Sequence, residues 1–305
     1  MNSFTKIDWF SCRTTSQVPE VLEVIANAFG DHSGMVETRS RPGGWQGYEQ
    51  SRTVTVGGQH VGIVAYGGVN QRGWVSINLS GQGCAWVDDW KATEDVYSSL
   101  RAYETRRVDI ALDTYQREVT HDSVVDAYRE GLFSLTNHTP AMRLILNEDR
   151  YEGQTVYVGK RQSGKFFRGY EKGYELASKQ QGLRVTHIDE IPIEDFYRLE
   201  IELKAKEGPL PTDLIAQRDN YFAGSYPYLQ SVLDAKPKTY SQSREKAIQR
   251  TVDETLARIR LQYGPSLYTL LQAFDGDALA LFSKICGSKH NEDLIAAGAL
   301  MYQRD

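Results

Sequence analysis

The sequence predicts an α+β fold: an antiparallel or mixed sheet with crossing helices over residues 1–208, followed by a small all-α C-terminal unit over residues 209–305. Three observations predict it. Short segments with apolar–polar alternation recur from residue 6 to residue 205, the period of half-buried strands. Three helical stretches interrupt them, at 18–29, 92–103 and 119–131. Beyond Pro209-Leu210-Pro211 the pattern becomes helical almost throughout. At 305 residues the chain is long enough for one large core and a smaller second one.

In chain order, residues 6–12 read as an opening strand. Residues 18–29 follow as a helix, with Pro19 in the first turn, Val18, Leu22, Ile25 and Phe29 along one side, and Gly30 as its stop. Residues 31–50 are rich in Gly, Ser and Arg and read as a long loop. Strands at 52–56 and 60–66 flank Gly57-Gly58, a hairpin signal. A strand at 74–79, a loop at 80–83 and a helix at 92–103 come next. Residues 105–115 alternate strictly: Val108, Ile110 and Leu112 face one way, Arg107, Asp109 and Asp113 the other. The capped helix at 119–131 closes on Gly131. Strands at 141–146 and 155–159 precede a strand through Arg168, Tyr170 and Lys172, and residues 196–205 alternate again. In the tail, Ser243 is placed to cap a helix with Ile248, Val252, Leu256, Ile259 and Tyr263 on its apolar side, and Gly264-Pro265 to stop it. Shorter helices are expected at 266–274, 278–286 and 292–301.

The net charge of −5 excludes general attraction to nucleic acid, so any such contact must come from local patches. Lys160, Arg161, Lys165, Arg168 and Lys172 form one, diluted by Glu171 alone. No apolar run is long enough to span a membrane, and the N-terminal residues lack the apolar core of a secretory signal. Cys12, Cys84 and Cys286 are far apart and odd in number, as expected of reduced thiols in a cytoplasm. The histidines form no His-x-His or HExxH pattern and no cluster with cysteine, which argues against a zinc site.

The most informative stretch is 155–175. On a strand, Arg168, Tyr170 and Lys172 share one face, neighbours roughly 6.6 Å apart. A phenol between two cations is easier to deprotonate, and the same cations can grip phosphates beside a bond the phenolate attacks. A basic hairpin with aromatic packing is the competing reading. Two other strands each put two acids on one face: Asp109 with Asp113, and Glu200 with Glu202. Such a face is often simply the wet side of a sheet. Carboxylates also suit Mg²⁺ or Mn²⁺, which can polarise a phosphoryl oxygen. Asp109 and Asp113 are roughly 13 Å apart along a strand, too far to share one ion. Asp109 with Glu200 or Glu202 is therefore the favoured metal pair, and Asp113 the weaker candidate.

These residues carry a resemblance. Arg107, Asp109 and Asp113 in the first block, Tyr157, Gly159, Arg161, Ser163, Arg168, Tyr170 and Lys172 in the second, and Arg198, Leu199 and Glu200 in the third come in the order seen in one family. Over roughly residues 105–205 the chain resembles the replication initiation factors of rolling-circle plasmids and filamentous phages. The resemblance implies a site-specific nickase that cuts one DNA strand at an origin, links its tyrosine to the 5′-phosphate and leaves a 3′-hydroxyl primer. It carries the nucleophile to Tyr170, with Arg168 and Lys172 beside it; Glu175 matches an acid found just beyond. Tyr174 and Tyr157 are the fallback nucleophiles. Lys160, Arg161, Ser163, Lys165, Arg107 and Arg198 are the expected DNA contacts. Implied partners are the origin DNA, single-stranded or extruded as a hairpin, host helicase and polymerase, and a second copy of the chain, all in the cytoplasm of a bacterial host. The overall look leans to a phage element over a plasmid.

Two other functions compete. A non-catalytic, sequence-specific DNA-binding regulator of a phage or plasmid would keep the cations and leave Tyr170 and the acids incidental. A tyrosine recombinase or topoisomerase would carry its tyrosine on a mostly helical domain, against the strand-borne tyrosine here. The tail residues Arg244, Lys246, Arg250, Arg258 and Arg260 could read duplex, though interspersed acids make a solvated helical face the plainer expectation.

Overall fold

The computed structural model describes residues 4–134, 139–148, 152–180, 185–206, 208–239 and 252–290. It divides into two compact units, Met1–Ser241 and Gln242–Asp305. The first holds a ten-stranded sheet in which every neighbouring pair is antiparallel. Its strands are β1 (Lys6–Thr14), β2 (Val36–Arg41), β3 (Gln50–Val56), β4 (Gln59–Tyr66), β5 (Val75–Leu79), β6 (Glu104–Thr114), β7 (Met142–Ile145), β8 (Thr155–Val158), β9 (Lys165–Tyr170) and β12 (Tyr197–Lys204). A separate hairpin pairs β10 (His187–Ile188) with β11 (Ile191–Pro192).

The sheet order is β2-β3-β4-β5-β1-β6-β12-β9-β8-β7. The two halves follow the same path: a central strand, a helix, three strands of meander, and a last strand returning beside the first. They meet back to back at the antiparallel pair β1/β6. The helix after the central strand is α1 (Val18–Asn27) in one half and α4 (His121–Arg129) in the other. Thr14 and Thr114 end the two central strands.

One face of the sheet is the core. Phe10, Val108, Ile110, Leu199, Ile201, Val156 and Phe167 pack there with Val21 and Ile25 of α1 and Val124 of α4. The tight turn between β3 and β4 has Gly57 and Gly58 at φ 55° and 81°, the paired left-handed geometry that only glycine adopts cheaply.

Several expectations change. Residues 36–41, expected as loop, form edge strand β2; its polar Val-Glu-Thr-Arg-Ser-Arg pattern suits an edge facing solvent. Residues 81–83, part of the expected loop 80–83, open a short helix, α2 (Gly81–Ala85), capped by Ser80; α3 (Trp90–Ser98) is shorter than expected and capped by Asp89. The boundary expected at 208/209 moves to the end of the first unit. Leu210, Leu214, Ile215, Phe222 of α6 (Arg218–Ala223) and Leu229 of α7 (Pro227–Val232) belong to the sheet's own core. Phe133 ties this segment down, its ring 4.9 Å from Phe167, 5.1 Å from Tyr226 and 5.4 Å from Tyr228. The pattern reads as helical because it is helical, but its apolar side is spent on the first core.

In the second unit, α8 (Val252–Ala273) runs through Pro265 instead of stopping, giving up the one bond that proline cannot donate; α9 (Ala278–Ile285) follows, capped by Asp277. The expected cap at Ser243, Ile248, the helix at 292–301, and Arg244, Lys246 and Arg250 lie outside the described residues.

Candidate active site

The face opposite the core carries the chemistry. Direct cross-strand partners share a face, so the register places the residues. On β12 and β6, Arg198 faces Asp113, Glu200 faces Ala111, Glu202 faces Asp109 and Lys204 faces Arg107. On the other side of β12, Arg198 faces Tyr170, Glu200 faces Arg168 and Glu202 faces Phe166. Tyr170, Arg168 and the acids of β6 and β12 therefore lie side by side on one face.

This face is not the wet side of the sheet. Asp109, Glu200 and Glu202 are each 1% exposed and Arg198 is 4% exposed. Buried carboxylates need partners, and they are organised in two groups. In the first, Arg107 Nε and Nη2 donate to Asp109 Oδ1 and Oδ2 at 2.8 and 2.6 Å. Arg168 Nη2 donates to Asp109 Oδ2 at 3.2 Å and also to Glu200 Oε1. Glu202 lies against Arg107 Nη2 at 2.7 Å and against Lys204, yet neither of its oxygens receives an aligned hydrogen bond. In the second group, Arg198 Nε and Nη2 hold Asp113 at 2.6 and 2.9 Å, its Nη1 reaches Asp8 at 2.8 Å, and Lys6 also binds Asp113.

Asp8 is the site residue that sequence reasoning missed. The β1/β6 register skips it, a bulge between Ile7 and Trp9. A bulge re-aims a side chain, and here Asp8 joins Arg198 on the charged face. Its sequence signal is slight: it is the one acid of β1, whose other charged residues are Lys6 and Arg13.

Asp109 and Glu200 both sit above the ordinary carboxylate range. For Glu200 burial is the main cause; Arg168 opposes it, Asp109 and Asp8 add to it, and the result is about 8. Burial likewise raises Asp109, against Arg107 and with Glu202. Asp109 and Glu200 converge on Arg168 Nη2, and a carboxylate pair of this kind is the donor type that a hard divalent cation takes, with waters completing its shell. Among the described residues, no three His, Cys, Asp or Glu are grouped to hold a metal. The structure does not bring Asp113 to this pair: both its oxygens are taken by Arg198 and Lys6, whose hydrogen bonds outweigh burial and hold it below the usual range.

Three expectations about the tyrosine stretch are corrected. Lys172 does not share a strand face with Tyr170, because β9 ends at Tyr170 and Lys172 opens α5 (Lys172–Ser178). Gly173 fixes that helix: a Cβ there would lie 2.1 Å from the Ile193 carbonyl oxygen. Lys172 still lies 5.6 Å from the Tyr170 ring centre, with its charge also on Glu175. Tyr174 is likewise on α5 and lines a different cavity, of about 650 Å³, with Glu171, Arg117 and His187. The phenol of Tyr170 is not eased by its setting. Burial pushes it well up; Arg198 pulls it down, and Glu200, Asp8 and Glu175 push it up again. Tyr157 does share the face, opposite Arg168, stacked at 5.4 Å on Phe166.

The expected DNA contacts separate. Lys160, Arg161 and Ser163 are exposed on the β8–β9 turn. Lys165 is not a contact: it faces the core side, donates to the Ser225 carbonyl at 2.6 Å and covers Tyr226 at 4.1 Å, and burial lowers it to about 8. Arg198 is buried and fully engaged with acids. Arg107 is shared between the acids and the Trp9 ring, 4.9 Å from its centre.

A family model described as replication initiation factor matches residues 104–283. The match opens on the first residue of β6 and takes in the tyrosine strand and both acid-bearing strands. No curated protein matches. Among solved structures, that of a rolling circle replication initiator protein from Geobacillus stearothermophilus aligns with a TM-score of 0.54 and 19% identity, over 79% of this chain and 90% of that chain. At that identity the likeness is one of fold.

Proposed function

Because the chain belongs to the replication initiation factor family, we propose that it starts rolling-circle replication by nicking one strand of an origin through a 5′-phosphotyrosyl intermediate at Tyr170. The observation that carries this reading is the shared face of Tyr170, Arg168, Arg198, the half-buried Asp8 and the buried acids Asp109 and Glu200. A tyrosine in a neutral core would offer nothing to a phosphate.

In the proposed step, the Tyr170 oxygen bonds to phosphorus, the P–O3′ bond breaks, and the departing 3′-oxygen takes up a proton to become the primer hydroxyl. One ester replaces another, so the reverse attack by a 3′-hydroxyl reseals a strand without ATP. Asp109 and Glu200 would hold Mg²⁺ or Mn²⁺, which supplies Lewis-acid polarisation of the phosphoryl oxygen. Neutralising those acids has a second consequence for the chain's own groups. Glu200 is one of the charges that keep the Tyr170 phenol protonated, whereas Arg198 favours the phenolate. Neutralising Glu200 removes one of the neighbours that raise the phenol and leaves burial, Asp8 and Glu175 opposed by Arg198. In this reading Arg168 and Lys172 turn from their acid partners to phosphate oxygens, and the exposed Lys160, Arg161 and Ser163 hold the strand further along. The strand must be locally unpaired for the tyrosine to reach it, consistent with origin DNA that is single-stranded or hairpin-extruded.

The burial of Tyr170 and the mutual pairing of acids and cations favour a second reading, a regulator that binds DNA without cutting. One experiment separates the two. The full chain is incubated with a single-stranded origin oligonucleotide and Mn²⁺, and covalent protein–DNA adduct is resolved on a denaturing gel. Wild type, Tyr157→Phe and Tyr174→Phe are expected to form adduct, and Tyr170→Phe to form none while binding the oligonucleotide. Undiminished adduct from Tyr170→Phe would reject the nucleophile; binding without adduct in wild type would favour the regulator.

A further inference from the structure

The two halves of the sheet carry different chemistry at equivalent positions. With Thr14 matched to Thr114, the positions of Arg198 and Glu200 on β12 fall to Ser76 and Asn78 on β5, which face Arg13 and Ser11 on β1. On the next strand, the positions of Tyr170 and Arg168 fall to Ala65 and Ile63 of β4. At the positions of Tyr170, Arg168, Arg198 and Glu200 the N-terminal half carries Ala65, Ile63, Ser76 and Asn78, none of them charged or nucleophilic at phosphorus.

A cavity of about 290 Å³ lies at this place, lined by Trp9, Ser11, Gln46, Asn78, Arg106, Arg107, Lys204, Ala205 and Lys206. It adjoins the acid pair, because Arg107 belongs to both. Its wall is built. The tip of the loop before β3 turns tightly at Trp45–Tyr48, with reciprocal backbone bonds of 3.1 and 3.0 Å, and Gln71 Nε2 pins Gly47 at 2.9 Å. That turn presents Gln46 to the cavity. On the floor, Asn78 is 5% exposed and its amide is fixed by donation to Ser76 Oγ at 2.9 Å. Trp9 is half-buried, its ring held by Arg107. A rigid indole, two amides and a rim of Arg106, Lys204 and Lys206 combine a stacking surface, hydrogen-bonding edges and positive charge. That is the combination that takes a nucleotide of single-stranded DNA.

We propose that this cavity seats one base of the bound strand on Trp9, with the amides of Asn78 and Gln46 against the base edge and Arg106, Lys204 and Lys206 toward its phosphates. The cavity lies where the two halves meet, with Trp9, Ser11, Gln46 and Asn78 from the N-terminal half and Arg106, Arg107, Lys204 and Lys206 from the other. It rests on the reading of the charged face as a DNA site, and it adds a base-reading position next to the scissile phosphate.

The test uses the full chain and a set of fluorescein-labelled single-stranded oligonucleotides of mixed sequence, each with 5-iododeoxyuridine at one position. Binding is measured by anisotropy, and photo-cross-links are mapped by mass spectrometry. A cross-link to Trp9 from one oligonucleotide position is expected. Trp9→Leu should weaken binding about tenfold, the scale of one lost base stack, and Trp9→Phe should restore most of it. Cross-links confined to other residues, or Trp9→Leu at wild-type affinity, overturn the proposal. If Trp9→Leu does not fold, the cross-link map of the wild-type chain decides alone. Absence of any oligonucleotide binding by wild type would instead reject the DNA reading on which the cavity's role depends.

Discussion

Removing the charge of Glu200 should make the metal-free protein more stable, and increasingly so as pH rises. Glu200 is 1% exposed, and its carboxyl is raised from 4.5 to about 8, by burial above all, against the pull of Arg168 and with the push of Asp109 and Asp8. Above pH ~4.5 the unfolded chain has released this proton while the folded chain still holds it. The folded state therefore binds more protons between about 4.5 and about 8, and stability falls with rising pH across that window. The full gap is worth about 5 kcal/mol at 1.36 kcal/mol per pH unit. Arg168 can follow the carboxylate and Asp109 shares the proton, so about 2–5 kcal/mol is expected. The assay is urea unfolding of metal-free wild type and Glu200→Gln at a series of pH values. The stability difference between variant and wild type should grow with pH and level off above about 8. Mn²⁺ should reduce it by supplying the wild-type acids with a counter-charge. A difference that is flat in pH, or that shrinks as pH rises, would refute the reasoning that Glu200 is an under-compensated buried acid.

Two further substitutions test the assignments on the same face. Arg198→Met strands Asp113 and Asp8; Lys6 remains on Asp113 and Asp8 is partly exposed, so the loss should be about 3 kcal/mol, the low end for breaking a buried pair. Calorimetry should show it as a melting point lower by roughly 6–12 °C, and adding Asp113→Leu should recover much of it; an Arg198→Met protein as stable as wild type would remove Arg198 from its structural role. Lys160→Ala with Arg161→Ala should weaken single-stranded DNA binding and lower its salt slope by about 1.4, two phosphate contacts' worth. Lys165→Met should leave the slope unchanged because that lysine faces the core, and a changed slope for Lys165→Met would return it to the DNA surface.

Much of the site was legible because strand periodicity is local. The alternation in 105–115 and 196–205 placed Asp109 with Asp113 and Glu200 with Glu202 on single faces, and the register bears this out. What misled was the assumption that periodicity persists. Arg168, Tyr170 and Lys172 alternate like a strand, yet β9 stops at Tyr170, where α5 packs its Gly173 against the Ile193 backbone. Lys165 looked like part of a basic patch, but its position in the register points it at Tyr226. The segment 210–233 read correctly as helical and incorrectly as a separate body, since composition does not say which core an apolar side will join.

By itself the sequence determined most of the strands, which side chains share a face on β6 and β12, and that tyrosine, arginine and paired acids recur in one order. Only the tertiary structure decided that β12 lies between β6 and β9, that a bulge turns Asp8 onto Arg198 across 190 residues of chain, and that the acids are dry. The physical reason is one of range. Alternation is set by bonded neighbours, whereas pairing partners and desolvation, which fix the proton affinities of Glu200 and Tyr170, come from residues far away in sequence.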